Sequence, residues 1–145
     1  MTYAGVGLFT DFLAEAVGPA GSVTAIESDG AAIELAKQNL AGRSQVSVVR
    51  DRVDRAMHRL AKSGDRESVD LVVLDPPRAG AKRQVVRAIT ELAPRAVAYV
   101  ACDPSSLARD LAYFAEFGYR LADLRAFDLF PMTHHVECVA LVVPE

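Results

Sequence analysis

Cys102 is the residue of this 145-residue sequence whose surroundings are best suited to covalent chemistry. It stands where the apolar run 98–101 stops and where Asp103-Pro104 opens a helical pattern. Asp103 fits the N-cap of that helix and Pro104 its first turn, so backbone N–H groups and the positive end of the helix dipole face the thiol. This setting favours the thiolate, the nucleophilic form of cysteine. The alternative is a buried structural cysteine, because free cysteines are often core residues.

A glycine turn near the start of the chain predicts close approach of a ligand to the backbone. Gly5 and Gly7 precede a helical pattern, but Thr10 stands where a dinucleotide-binding fingerprint has its third glycine. Glu27 ends the next predicted strand about 20 residues later, where a carboxylate can accept hydrogen bonds from ribose hydroxyls. The pattern fits a nucleoside cofactor better than a dinucleotide, although a plain turn followed by a solvent-facing glutamate would look the same.

A second acidic strand end is Asp75, which is followed by Pro76, Pro77 and Arg78. The preceding residues 69–74 are nearly all apolar, as is typical of a central parallel strand buried on both faces. The two prolines hold the carboxylate and a backbone carbonyl in place, and the arginine offers a fork of hydrogen-bond donors. The alternative is a simple strand stop with a surface arginine.

Apolar runs and helical patterns alternate along the chain, which predicts an α/β fold with a doubly wound, mostly parallel sheet. Residues 1–3 fit only the end of a first strand, so that strand is expected to be truncated. Segments 119–128 and 136–143 have no helical pattern between them and predict an antiparallel C-terminal strand pair. The length fits one domain over residues 1–145.

Composition narrows the class of protein. Hydrophobic residues make up 51% and charged residues 24%, which predicts a globular chain. No run reaches the ~18 apolar residues of a membrane span and no secretion signal is recognisable, so we expect a cytoplasmic protein without membrane contact. Two cysteines and three histidines without Cys-x-x-Cys predict neither a disulfide framework nor a metal site. Because the chain has a net charge of −3, any nucleic acid must be bound by a local basic patch or by a partner module.

Four ordered motifs resemble those of the RNA 5-methyluridine methyltransferases, and the resemblance extends over essentially the whole chain. It implies a Rossmann-like, class I S-adenosylmethionine-dependent methyltransferase catalytic domain that acts on carbon 5 of a uridine in tRNA or rRNA. The motifs are Tyr3-Ala4-Gly5-Val6-Gly7-Leu8-Phe9-Thr10, Leu74-Asp75-Pro76-Pro77-Arg78-Ala79-Gly80, Cys102-Asp103-Pro104 with Leu107-Ala108-Arg109-Asp110-Leu111, and Asp128-Leu129-Phe130-Pro131-Met132-Thr133-His134-His135-Val136-Glu137.

The resemblance also implies roles for individual residues. Cys102 matches the family nucleophile and Glu137 its general base. Because a target uridine must leave its stack to present its face, a pocket with Arg78 and Arg109 as basic edges is expected on physical grounds. Asp103 replaces an asparagine usual in the family and adds a negative charge that works against the thiolate. Residues expected to contact S-adenosylmethionine are Tyr3, Gly5, Gly7, Glu27 and Asp75.

In the expected chemistry, a thiolate and a carboxylate act on the same uracil ring. The thiolate attacks carbon 6 and makes carbon 5 nucleophilic, and Glu137 then removes the proton from carbon 5. Cys138 follows Glu137 and alternates to the opposite side of its strand, where we expect core packing.

Two alternatives stay open. One is a non-catalytic cofactor- or RNA-binding module, because the upstream glutamine segment and the RNA-binding domain common in the family are absent from the sequence. Such a module would need an upstream domain or a partner chain. The other is a nicotinamide-dependent oxidoreductase, against which Thr10 and the Cys102-Asp103-Pro104 motif count.

Overall fold

The computed structural model describes residues 1–62, 69–133 and 135–145, so His134 of the last predicted motif lies outside the described residues. The chain divides into two compact units, Met1–Ala56 (unit 1) and Met57–Glu145 (unit 2). The prediction that residues 1–145 form one domain stays a prediction.

Unit 1 is built on a pair of parallel strands. Val23 lies opposite Val46 and Glu27 opposite Arg50. The first residues of the chain run beside this pair, because Thr2 forms a parallel bridge with Ile26. This agrees with the prediction that they form the end of a strand. The elements are α1 (Leu8–Val17), β1 (Val23–Glu27), α2 (Gly30–Asn39), β2 (Val46–Arg50) and the start of α3 (Val53–Lys62).

Unit 2 contains a four-stranded sheet in the order β3-β4-β6-β5. β3 and β4 are parallel, and β6 lies antiparallel between β4 and β5. The predicted α/β fold with an antiparallel C-terminal strand pair is therefore confirmed. The elements are β3 (Leu71–Leu74), α4 (Lys82–Glu91), β4 (Ala96–Ala101), α5 (Pro104–Glu116), β5 (Tyr119–Phe127) and β6 (Glu137–Pro144).

The core of unit 2 follows the alternation of its strands. In β4 every second side chain is buried, among them Val97 and Tyr99. On α5, Leu107 and Phe114 are buried two turns apart, and the Phe114 ring lies 6.2 Å from that of Tyr119. The ends of β4 and α5 that meet at Cys102 are thus anchored in a packed core.

Candidate active site

Cys102 lies between β4 and α5 and is partly accessible. Asp103 is the N-cap of α5, as predicted, and its side chain accepts a 2.7 Å hydrogen bond from the Ser106 backbone N–H. Hydrogen bonds from Ser106 hold the pKa of Asp103 below its usual value, and the charge of Arg78 adds to this effect. The carboxylate that replaces the family asparagine is thus engaged in capping the helix.

Glu137 begins β6, at the end of this strand that lies near Cys102. The last pair of the β4–β6 ladder is Ala101 with Cys138, so Cys102 and Glu137 each lie one residue beyond that pair. Two residues 35 positions apart in sequence (from 102 to 137) are therefore brought to the same end of the β4–β6 pair.

Cys138 faces the opposite side and is buried, as predicted. Its burial raises the pKa of the thiol, and the neighbouring charge of Glu137 raises it further. A buried thiol that resists ionisation is a poor nucleophile, which distinguishes Cys138 from the accessible Cys102.

Asp75 directly follows β3, which runs parallel to β4 with Leu74 opposite Tyr99. The carboxyl ends of both strands lie at one edge of the sheet, so Asp75 and Cys102 share that edge. Partial burial raises the pKa of Asp75, and the negative charge of Glu137 raises it further. The two carboxyl groups are therefore within electrostatic range of each other.

Arg78 is exposed at the same edge and donates a hydrogen bond to His135, with 3.1 Å between Nη2 and Nε2. The His135 ring meets the Phe130 ring edge-on, at 83° and 6.4 Å. His135 was not predicted as a site residue from the sequence. Its place two residues before Glu137, in the last motif, is the signal that could have identified it.

Arg109 engages the protein itself. Its Nη2 lies 2.8 Å from both the Ala79 carbonyl oxygen and Asp110 Oδ1. Asp110 is fully buried and was not predicted as a site residue. The helical spacing of apolar residues could have indicated its burial, because Asp110 falls three residues after Leu107 and four before Phe114, on the buried face of α5.

In unit 1, Glu27 holds the glycine turn. Its Oε2 accepts a 2.9 Å hydrogen bond from the Gly5 backbone N–H, and its Oε1 accepts from Ser28 and Asp29. Partial burial works to raise the pKa of Glu27, but the hydrogen bonds from Asp29, Gly5 and Ser28 outweigh it and lower the pKa overall. Glu27 is thus a fixed carboxylate at the end of β1.

The two glycines of the turn have different neighbours. A Cβ on Gly7 would lie 2.9 Å from Leu40 Cδ1, so this glycine is needed for packing. A Cβ on Gly5 would meet nothing within 4 Å, and the positive φ of 54° disfavours a side chain there. The predicted contact residue Tyr3 also has a positive φ, of 56°. Open space beside the Gly5 backbone, together with a fixed carboxylate, fits a ligand that carries hydroxyl groups.

The part of the chain that the structure describes contains no group of three or more histidine, cysteine, aspartate and glutamate side chains that could hold a metal ion. None of the helices described is long and apolar enough to cross a membrane.

Comparison with known proteins gives relatives over the whole chain. An RNA methyltransferase of uncharacterised function from Streptomyces avermitilis is 52% identical over 142 residues, covering 98% of this chain and 32% of the relative. A relative from Bifidobacterium longum with a similar name is 43% identical over 145 residues, covering 96% of this chain and 32% of its own length. The chain thus spans about a third of the length of these curated relatives.

A solved structure of known name is similar to this chain both in fold and in sequence. It is the tRNA (uracil-54, C5)-methyltransferase of Pyrococcus abyssi in complex with S-adenosyl-L-homocysteine, with a TM-score of 0.76 and 31% identity. The match covers 98% of this chain and 33% of that one. The family model described as tRNA (Uracil-5-)-methyltransferase matches residues 2–144. The chain therefore belongs to the tRNA (uracil-5-)-methyltransferase family.

Proposed function

We propose that this chain is the catalytic part of an S-adenosylmethionine-dependent RNA methyltransferase that forms 5-methyluridine through a covalent adduct on Cys102. The observation that carries the proposal is the β4–β6 register, which brings Cys102 and Glu137 to the same end of the strand pair. Family membership supports the reaction class. The alternative of a plain structural cysteine is not favoured, because Cys102 is partly accessible at the carboxyl edge of the sheet.

Cys102 and Glu137 divide the chemistry between them. The thiolate adds to carbon 6 of uracil, and the electrons of the 5,6 double bond move into the ring as an enolate. When bound, S-adenosylmethionine would supply the methyl group for carbon 5, and the bond from its sulfur to that methyl group would break to release S-adenosylhomocysteine. Glu137 then takes the proton from carbon 5, the 5,6 double bond forms again, and the thiolate leaves. A carboxylate at the same end of the strand pair as the thiol is suited to this second step.

Unit 1 supplies the groups proposed to hold the cofactor. Glu27 is a hydrogen-bonded anion that can still accept bonds from ribose hydroxyls through its remaining lone pairs. The open backbone at Gly5 allows close contact, and Gly7 keeps the turn packed on Leu40. Tyr3 completes the proposed set of cofactor contacts in unit 1. A cofactor contact by Asp75, in unit 2, stays a prediction from the sequence.

RNA is the proposed partner. Arg78 is exposed beside the site and offers donors to an oxygen of the target nucleotide, which must leave its stack to present its face. A direct substrate contact by Arg109 stays a prediction. So do the choice between tRNA and rRNA, cytoplasmic localisation and a separate RNA-binding domain, for which the greater length of the relatives leaves room.

Labelled methyl transfer tests the proposal. The purified chain is incubated with S-adenosylmethionine carrying a labelled methyl group and with unmodified tRNA or rRNA, and the nucleosides are analysed by mass spectrometry. We expect 5-methyluridine from the wild type, none from Cys102→Ala, and near wild-type product from the matched control Cys138→Ser. Transfer retained in Cys102→Ala would contradict the covalent mechanism. Cofactor binding by the wild type without any transfer would instead support the non-catalytic module.

A further inference from the structure

Asp110 is a buried carboxylate whose hydrogen bonds lead to the loop after β3. Its side chain is 0% exposed. Oδ2 lies 2.7 Å from both the Tyr99 hydroxyl and the Ala81 backbone nitrogen, and 3.3 Å from that of Lys82. Oδ1 accepts hydrogen bonds from Arg109 Nε at 3.1 Å and Nη2 at 2.8 Å. A buried charge is tolerated only with such partners, so this geometry is strongly specified.

Arg109 extends the same network to the turn 77–80. Its Nη2 donates to the Ala79 carbonyl oxygen at 2.8 Å, and the turn itself is closed by a 2.7 Å bond from Gly80 N to Pro77 O. Arg78 is the second residue of this turn. Its position beside Asp103 and His135 therefore depends on how the turn is held from α5.

Gly80 shows how closely the turn 77–80 packs against α5. Its φ is +73°, and a Cβ built there would lie 2.5 Å from both Arg109 Nη2 and Asp110 Oδ2. No side chain can occupy that place unless the arginine and the aspartate move. The glycine, the arginine and the aspartate thus form one unit, which we name the turn clamp.

We propose that Asp110 and Arg109 are positioning residues, which fix the turn 77–80 and thereby hold Arg78 against the target nucleotide at the Cys102 edge. This inference rests on the proposed function. The clamp acts through Arg78, in place of the direct RNA contact that the sequence predicted for Arg109. Misplacing a substrate-positioning group by about 1 Å can cost as much as 100-fold in rate, so the clamp need not touch substrate to matter.

A double-mutant cycle measures whether Arg109 acts through Arg78. The rate of methyl transfer at saturating RNA, and KM for RNA, are determined for Arg109→Gln, Arg78→Ala and the double variant. We expect Arg109→Gln to slow transfer about tenfold in the wild-type background and less than about twofold in the Arg78→Ala background. Independent effects that multiply would overturn the proposal, because they would mean that Arg109 contacts RNA itself or only supports the fold.

Arg83→Gln is the matched control. Arg83 on α4 pairs with Glu116 on α5 and lies over the rings of Tyr113 and Phe117, so this variant weakens the packing of α4 on α5 without touching the turn. Its transfer rate is expected to stay within about twofold of wild type, because an exposed ion pair and exposed cation–π contacts each contribute little to stability. A tenfold loss in this control as well would reassign the Arg109 effect to helix packing and overturn the proposal.

Limited proteolysis tests the clamp without any activity. Trypsin can cut the Arg78–Ala79 bond, which is exposed but held in the turn. We expect cleavage there to be about tenfold faster in Arg109→Gln and Gly80→Ala than in the wild type or Arg83→Gln. Equal rates would overturn the clamp. A wild type that transfers no methyl group would contradict the proposed function, and faster cleavage in the variants would then still support the clamp.

Discussion

Two acidic side chains end parallel strands, one in each unit, and their surroundings shift their pKa values in opposite directions. Partial burial works to raise the pKa of Glu27, but three backbone N–H groups bind the carboxylate and lower it. Partial burial raises the pKa of Asp75, and the charge of Glu137 raises it further. A carboxyl group at the end of a β-strand thus has its pKa lowered by hydrogen bonds in one unit and raised by burial and a neighbouring charge in the other.

The comparison shows that hydrogen-bond donors and neighbouring charges, and not position in the fold, determine what a strand-end carboxyl can do. A fixed anion suits a constant acceptor of hydroxyl groups, as proposed for Glu27. Asp75 and Glu137 form a carboxyl pair within electrostatic range, because the charge of Glu137 contributes to the raised pKa of Asp75.

The largest effect is expected from breaking the carboxyl pair. Glu137→Gln leaves the thiol in place but cannot remove the proton from carbon 5, so methyl transfer should fall about 1000-fold while the covalent RNA adduct accumulates. Gel electrophoresis under denaturing conditions detects the adduct. Glu91→Gln, at a surface ion pair with Arg87, is the control and should behave like the wild type. Normal turnover in Glu137→Gln would remove Glu137 from the mechanism.

A smaller effect is expected from the fixed anion. Glu27→Gln removes the charge that organises the glycine turn, and we expect the dissociation constant for S-adenosylmethionine to rise about tenfold, in line with about 1.5 kcal/mol for hydrogen bonds to a charged group. Titration calorimetry measures it. The exposed Glu34→Gln, which pairs only with Lys37 among the contacts described for its side chain, serves as the control. Unchanged affinity in Glu27→Gln would contradict a cofactor role for this residue.

The lowered pKa of Glu27 also predicts a pH-dependent stability. The contribution of this carboxylate is present above its pKa in the unfolded chain and is lost as pH falls through the lowered folded value. Urea unfolding should show Glu27→Gln less stable than wild type by about 1 kcal/mol at pH 7, with the difference shrinking below pH ~4. A difference that is constant with pH would mean that the hydrogen bonds to Glu27 do not depend on its charge.

The smallest effect is expected from the substitution of Asp75, which should raise stability, whereas the substitution of Glu27 should lower it. Because its folded pKa is raised, its ionisation costs stability, and that cost sets in as pH rises through the raised value. Asp75→Asn should therefore melt about 1–2 °C higher than wild type at pH 7 and equally at pH 3, although its methyl transfer is reduced. A lower melting temperature at pH 7 would contradict a raised pKa for Asp75.

Local signals in the sequence were sufficient to predict much of the fold. Asp103 and Pro104 form the start of α5 as their cap chemistry predicts, and Cys138 is buried as its alternation with Glu137 predicts. The antiparallel C-terminal strand pair also followed from the absence of a helical pattern before β6.

The arrangement of the site could not be predicted from local patterns, because it depends on the pairing of strands that are distant in sequence. Nothing in the local pattern brings Cys102 and Glu137 to the same end of a strand pair, because the register of β4 with β6 is determined by packing across the sheet, and only the family resemblance paired the two residues. Asp110 was missed for a related reason. A carboxylate beside Arg109 on a helix is usually a surface ion pair, and its burial becomes evident only with the turn that it binds.

Covalent trapping tests the central claim most directly. The chain is incubated with S-adenosylmethionine and RNA containing 5-fluorouridine, whose fluorine replaces the proton that Glu137 must remove, and the products are separated under denaturing conditions. A protein–RNA band that requires the cofactor and Cys102, and is absent in Cys102→Ala, is the predicted result. A wild type that binds cofactor and RNA but gives no band, or a band that persists in Cys102→Ala, would contradict it.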